Sequence, residues 1–524
     1  MITGELFIGS TRLDPGHGYL RAIDPSRAME IEPPFALAGP EEVDKAAGLA
    51  DEAFDTYSRT SLEDRARFLE RIADNLGGIA PELADRTSRE TGIAAAQLEV
   101  QAGRAAVVLR KFAAVVRAGR FLNLTIDSAQ PDRQPVPRMD HRLMKVPVGP
   151  VVVFGASNFP ISYSVVGGDT ASALASGCPV IVKAHNAHLG SSEMQAQVIT
   201  DAVAAEGLPN GVFSLLTGAG NEIGESLVRH PLVKSVCFTG SERGGMALYR
   251  IAQRREEPIP VFCEMTSVNP TFALPAALAA RGGDIGRGFI ERTLFNAGQA
   301  CLKPAVLIAV RGEGMAELRQ AMVDVIRAAP ASTLLSTGIA DAYKAGLERL
   351  QKSGAVVIAR GAGAEERIDG NPTLLEVGAT EFIGAPPLAE EVFGPSALLV
   401  NAEDATELVT AAETLRGQLS AAMHLEPADL DLAKKLLPIL ERRTGRIVIN
   451  AFCQPQEVEH ATTHGGPFPA TTDSRFTSVG LSAIDRFLRP VTYQDFPAEL
   501  LPAPLRDPND LRLLRLVDGE LTQE

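Results

Sequence analysis

The chain has 524 residues, 45% hydrophobic and 22% charged, which is too long for one core and predicts two or three domains. Its formal net charge of −15 argues against a nucleic-acid binder and gives no support for docking on anionic membranes. No apolar run reaches the roughly 18 residues of a bilayer span; the first residues lack a signal peptide's basic and apolar regions; and five cysteines without a CxxC pair fit a reducing cytoplasm.

Residues 40–117 read as helical. "PEEVDKAAGLADEAFDTYS" places Ala and Leu at helical spacing, and "SLEDRARFLERIADNL" opens with a Ser-x-x-Asp capping signal. The basic stretch "RQPVPRMDHRLMKVPVGP" then alternates apolar positions and carries four prolines, as an edge strand or arm does. From residue 150 short apolar strands alternate with helices: "VVVFG", "PVIVK", "GVFSLLTG", "KSVCFTG" and "PIPVFCEM". That is the pattern of parallel βαβ units covered on both faces. A second series runs from about 275 to 450, with strand candidates "AVLIAV", "AVVIA", "SALLV" and "GRIVIN". Two α/β domains are expected to meet near residue 264, with ligands at the carboxyl ends of the strands.

Five βα units point to a nucleotide, but "GAGNEIG" (218–224) is one residue too long for the dinucleotide fingerprint and follows the third strand. "FTGSERGG" is better placed. Ser241 can cap the next helix, whose N–H groups can hold a pyrophosphate. Lys183 ends the strand "PVIVK", within reach of a ribose or a phosphate. "NAGQACLKP" sets Cys301 among small residues, where a substrate could approach. "HATTH" (460–464) has alanine where a zinc protease has its base, and it is not read as a metal site. Cys178, Cys237, Cys263 and Cys453 read as packing thiols.

"FGASNFP", "PVIVKAH", "FTGS", "EMTSVNP", "GQAC" and "EEVFGP" occur in the order and spacing of the aldehyde dehydrogenase superfamily, and the chain resembles that family over about residues 30–500. "GGDTASALASGCPVIVKAH" and "HGGPFPATTDSRFTSVG" resemble the branch of 2-oxoglutarate semialdehyde (2,5-dioxopentanoate) dehydrogenases and a bacterial fatty-aldehyde dehydrogenase. The resemblance implies an α/β fold with a Rossmann-type cofactor domain (1–127 and 150–263), a catalytic domain (264–470), a small β oligomerisation arm (128–149 and 480–500) and a C-terminal tail (501–524) with no assigned role. It implies a homodimer or homotetramer in the cytoplasm, acting on a small aldehyde, with no nucleic acid, membrane or metal partner.

By the same resemblance Cys301 is the nucleophile, its pKa lowered if a helix starts there. Asn158 and the Cys301 N–H hold the oxyanion. Glu264 is the general base, its pKa raised by desolvation. Lys183, Thr239, Gly240, Ser241, Glu391 and Phe393 contact the cofactor. Position 186 in "KAHNAH" is Asn where many NAD-preferring relatives carry Glu, so NADP should be accepted as well as NAD, with His185 or another cation near a 2′-phosphate. Arg292, Lys303 and Arg475 are candidates for a substrate carboxylate, and Phe159 and Phe468 for the aldehyde channel. The expected reaction is oxidation of 2,5-dioxopentanoate to 2-oxoglutarate through a thiohemiacetal and a thioester. The alternatives are a fatty or general aliphatic aldehyde, a CoA-acylating enzyme, disfavoured because Glu264 is kept, and a non-catalytic protein on the same scaffold.

Overall fold

The computed structural model describes residues 2–363, 368–454 and 456–524. Four helices, Pro40–Tyr57, Leu62–Gly78, Ala80–Thr91 and Ala95–Ala118, fill the predicted helical region. Ser61 caps the second, its hydroxyl accepting the Asp64 N–H at 3.0 Å.

The first sheet has seven strands in the order Val261–Glu264, Ser235–Thr239, Val151–Phe154, Val180–Lys183, Phe213–Leu216, Leu6–Ile8, Thr11–Leu13. The first five are parallel, and the amino-terminal hairpin adds an antiparallel edge. Their residues are apolar on both faces because both faces are covered. Val151, Val153, Val180 and Val182 join the core under the four helices, while Val152 and Ile181 point into the core on the other side.

The second sheet also has seven strands, in the order Val356–Arg360, Thr373–Gly378, Ser396–Ala402, Val306–Val310, Thr271–Ala273, Gln418–His424, Thr444–Ile449. All pairings are parallel except the first. Val306, Ile308 and Val310 pack on one face, Leu307 and Ala309 on the other.

A third sheet joins Leu488–Gln494, His141–Pro147, Thr125–Asp127, Arg515–Val517 and Glu520–Thr522. The tail, to which the sequence assigned no role, joins this sheet. Arg515–Val517 pairs in parallel with Thr125–Asp127, so the last residues extend the arm's sheet. Among the described residues no helix is long and apolar enough to cross a membrane.

Register brings the carboxyl ends of the first sheet into line. Phe154 pairs with Lys183 and with Phe238, and Thr239 pairs with Glu264. The chain bends back at Gly240, whose N–H donates to the Glu264 carbonyl at 3.0 Å. Four expected site residues therefore stand along one sheet edge.

Candidate active site

Cys301 lies on the loop between helix Pro275–Leu294 and strand Val306–Val310. The loop is held in an uncommon backbone shape: Asn296, Ala297 and Gly298 are all left-handed, with φ of 52°, 56° and 68°. Asn269 clamps the loop from the other side. Its side-chain amide donates to the carbonyls of Cys301 (2.8 Å) and Lys303 (2.9 Å). A side chain at Gly298 has no room, because its Cβ would lie 2.1 Å from the Gly394 carbonyl oxygen. Gly298→Ala is expected to cost about 2 kcal/mol or more of stability and to displace Cys301. A lower melting temperature with slowed thiol alkylation is the result that checks this.

The thiol meets two groups drawn from far along the chain. His464 Nε2 is 3.3 Å from Cys301 Sγ, and His464 Nδ1 is 2.7 Å from Glu264 Oε2. The second contact is an ion pair and not a well-aligned hydrogen bond. The Ser478 hydroxyl donates to the same carboxylate oxygen. The His464 backbone is fixed independently, its N–H donating to Thr477 Oγ1 at 2.8 Å and its carbonyl accepting from the Ser478 N–H at 3.0 Å.

These contacts reverse two expectations. Glu264 is buried, and burial alone raises a carboxyl, but His464, Ser478 and Arg486 outweigh it and hold Glu264 below its ordinary value. The Cys301 loop is not the start of an α-helix. Burial pushes the thiol up, and the pull downward comes from His464 instead. Burial also disfavours a charged His464, yet Glu264 and Cys301 together raise its pKa well above the usual imidazole range. A thiol, an imidazolium and a carboxylate thus form one chain of proton-exchanging groups. Their donor atoms lie within 4.8 Å of one another, the spacing of a metal-ligand set, but each group is already paired to its neighbour.

Asn158 is buried on the loop after strand Val151–Phe154. One of its amide N–H groups donates to the Gln299 carbonyl at 3.1 Å, and its own carbonyl accepts from Asn296 at 3.1 Å. Among the described residues the Cys301 N–H has no acceptor. The Asn158 amide is thus tied to the segment that carries Cys301, two residues before it.

The expected cofactor residues gather behind this point. Lys183 donates to Asn186 Oδ1 at 2.8 Å, and burial lowers its pKa to about 8. Ser241 caps helix Glu242–Gln253, accepting the Gly244 N–H at 3.2 Å, so that helix presents its amino end beside Thr239 and Gly240. The Glu391 carboxylate accepts from Thr266 Oγ1 at 3.0 Å and lines a cavity with Thr266, Ser267 and Arg243; Phe393 is two residues further on. An ammonium and a helix amino end at the edge of the first sheet, with a carboxylate from the loop before Ser396–Ala402 of the second, could hold the phosphate and ribose groups of a dinucleotide. His185 does not supply the expected cation. Burial, with His188 stacked against it and Lys183 nearby, holds it neutral.

A chamber reaches Cys301 from the helix Ala95–Ala118 side, and Phe159 and Arg292 line it as expected. Three other candidates lie elsewhere. Lys303 is buried, and its ammonium donates to the carbonyls of Val392 (2.5 Å) and Gly394 (2.9 Å), pinning the loop that carries Glu391 to the loop that carries Cys301. Arg475 is exposed and paired with Asp473 at 2.6 Å. Phe468 is 51% exposed, under the Arg416 guanidinium, because Gly417 and the first sheet hold its segment away from the chamber. His464 was missed by sequence reasoning. "HATTH" drew notice only as a failed zinc motif, and the start of "HGGPFPATTDSRFTSVG" was the signal that could have found it.

A thiol loop facing a strand-end carboxylate through His464 defines an enzyme that works through a cysteine nucleophile. The chain belongs to the aldehyde dehydrogenase family, whose model matches residues 15–473. It is 48% identical over 521 residues to alpha-ketoglutaric semialdehyde dehydrogenase 2 of Azospirillum brasilense, covering 99% of both chains. It is 40% identical over 522 residues to alpha-ketoglutaric semialdehyde dehydrogenase of Acinetobacter baylyi, again covering 99% of both. Among solved structures, aldehyde dehydrogenase C of Pseudomonas syringae, a mutant complexed with NAD+ and octanal, shares the fold with a TM-score of 0.80 at 22% identity, covering 95% of this chain and 97% of that one. PnpE of Pseudomonas sp. WBC-3 in complex with nicotinamide adenine dinucleotide does so with a TM-score of 0.80 at 20% identity, covering 94% and 97%.

Proposed function

We propose that this chain oxidises 2,5-dioxopentanoate, the semialdehyde of 2-oxoglutarate, to 2-oxoglutarate, using NAD or NADP. The observation that carries the chemistry is the Cys301–His464–Glu264 chain, whose Cys301 and His464 line the chamber. The two relatives named for this substrate support the choice of aldehyde.

In this reading the His464 imidazolium stabilises the Cys301 thiolate, the thiol proton leaving to solvent, and the thiolate adds to the aldehyde carbon. Asn158 and the Cys301 N–H receive the resulting oxyanion. Lys183, Ser241 and Glu391 would hold a nicotinamide dinucleotide, which would supply the acceptor for the hydride. Glu264 then accepts a proton from the water that cleaves the thioester, and the His464 imidazolium stabilises the departing thiolate. Absence of a glutamate at position 186, where Asn186 instead accepts from Lys183, supports use of NADP as well as NAD. The open edges Leu488–Gln494 and Glu520–Thr522 of the third sheet support a homodimer or homotetramer, and the cysteine content supports a cytoplasmic setting.

A second reading, a longer aliphatic aldehyde, is favoured by Val100, Val108 and Phe112 along the chamber. Initial rates of NADH and NADPH formation with 2,5-dioxopentanoate, succinate semialdehyde and a long-chain aldehyde decide between them. The dioxo acid is expected to give the highest kcat/KM; a higher value for the long-chain aldehyde overturns the proposed substrate.

A further inference from the structure

The proton chain at Cys301 accounts for one end of the chamber, and the other end holds groups that it leaves unused. Helix Ala95–Ala118 turns Gln97, Gln101 and Arg104 toward the cavity at i, i+4 and i+7, where an apolar stripe would suffice for packing. Gln454 also lines the cavity, and the end of helix Pro275–Leu294 brings Arg292.

Three of these side chains carry donors with nothing to donate to. The amide nitrogens of Gln97, Gln101 and Gln454 are buried and have no partner among the described residues. Gln101 itself is 5% exposed, and its orientation is imposed from outside the cavity, because its side-chain oxygen accepts the Ile161 N–H at 3.4 Å. The amide nitrogen must then be the free atom. Folded proteins rarely leave buried donors unpaired, and several in one chamber point to a ligand that supplies the acceptors. Gln456 adds one unpaired acceptor, its side-chain oxygen, since its amide nitrogen is used on Thr463. The two arginines are exposed at the outer part of the wall. Arg104 spends one nitrogen on the Gln456 carbonyl at 2.6 Å, and among the described residues neither arginine has a carboxylate within ion-pair distance. Both guanidinium groups line the chamber and can meet an anionic ligand there.

We propose that Gln101, with Gln97 and Gln454, receives the 2-oxo oxygen of the substrate, and that Arg104 and Arg292 receive its carboxylate. This assignment rests on the proposed substrate and names the residues that select it. An alkyl aldehyde would bury the same amides without acceptors, so the wall selects against it as well as for the oxo acid.

The test measures kcat/KM for 2,5-dioxopentanoate, 5-oxopentanoate (the same acid without the 2-oxo group) and hexanal, in wild type, Gln101→Leu, Gln454→Leu and Arg104→Met. The two glutamine variants are expected to narrow the preference for the dioxo acid over 5-oxopentanoate by about ten-fold or more. Arg104→Met is expected to lower both acids relative to hexanal by about ten-fold, mainly through KM. Arg104 is exposed, so its variant keeps the test open if a buried glutamine variant misfolds. A wild type that prefers the dioxo acid, with these ratios unmoved in the variants, overturns the assignment alone. Equal losses on all three aldehydes overturn it too, because they report a structural role. A wild type that prefers hexanal overturns the substrate reading and the assignment with it.

Discussion

Replacing Cys301 with serine is expected to lower kcat/KM for aldehyde oxidation by at least about 10,000-fold while leaving the fold intact. A hydroxyl is far harder to ionise than a thiol, and His464 cannot make up the difference across a 3.3 Å contact. Serine is nearly isosteric, and Cys301 packs only at the edge of a small cluster with Leu302, Leu419, Ala422 and Cys453. Its backbone carbonyl stays clamped by Asn269. The melting temperature should therefore hardly move. Loss of NAD(P)H formation in both the first turnover and the steady state, with an unchanged melt, is the expected result. A variant that still shows a stoichiometric first-turnover burst would mean that another group attacks the aldehyde. The other four cysteines are poor substitutes, since each is buried and burial raises the pKa of all four.

The βα series was legible because its strands are runs of β-branched residues with covered faces on both sides, as in Val151–Phe154 and Val180–Lys183. The strands that escaped notice lack that signature. Thr271–Ala273 has three residues, and Gln418–His424 reads "QLSAAMH", a composition equally at home in a helix. At the site, Cys301, Glu264, Asn158 and Lys183 could be placed because each sits in a short ordered motif whose strand or turn fixes it locally. Lys303 could not, because its charge is consumed by two carbonyls about ninety residues away in sequence, a contact no local pattern announces. The pKa directions failed for a related reason. Desolvation follows from being at the end of an apolar strand, but the sign of the net shift on Glu264 belongs to His464 and Ser478, which arrive from a distant loop.

His464 carries the second large expected effect, and its sign can be worked out. In the folded chain Glu264 and Cys301 hold the imidazole protonated to unusually high pH, and the resulting cation is what draws the thiol downward against burial. His464→Gln keeps a side chain of similar reach and leaves the backbone contacts to Thr477 and Ser478 in place, but it removes the titratable charge. Two consequences point the same way. Cys301 loses the cation that opposes its burial, so the thiolate forms at higher pH. Glu264 loses the ion pair that depresses it, so its carboxylate also forms at higher pH. Both ionisations are needed for the proposed reaction, which places the acid-side fall of kcat/KM at higher pH in the variant than in wild type. Alkylation of Cys301 by iodoacetamide at neutral pH is expected to slow by about ten-fold or more, and kcat/KM at the same pH to fall by about 100-fold or more. Superimposable pH profiles with a uniform loss of rate would show that His464 only packs against the sulfur. Profiles that separate, with alkylation following the same displacement, tie the activity to one shared proton between Cys301, His464 and Glu264.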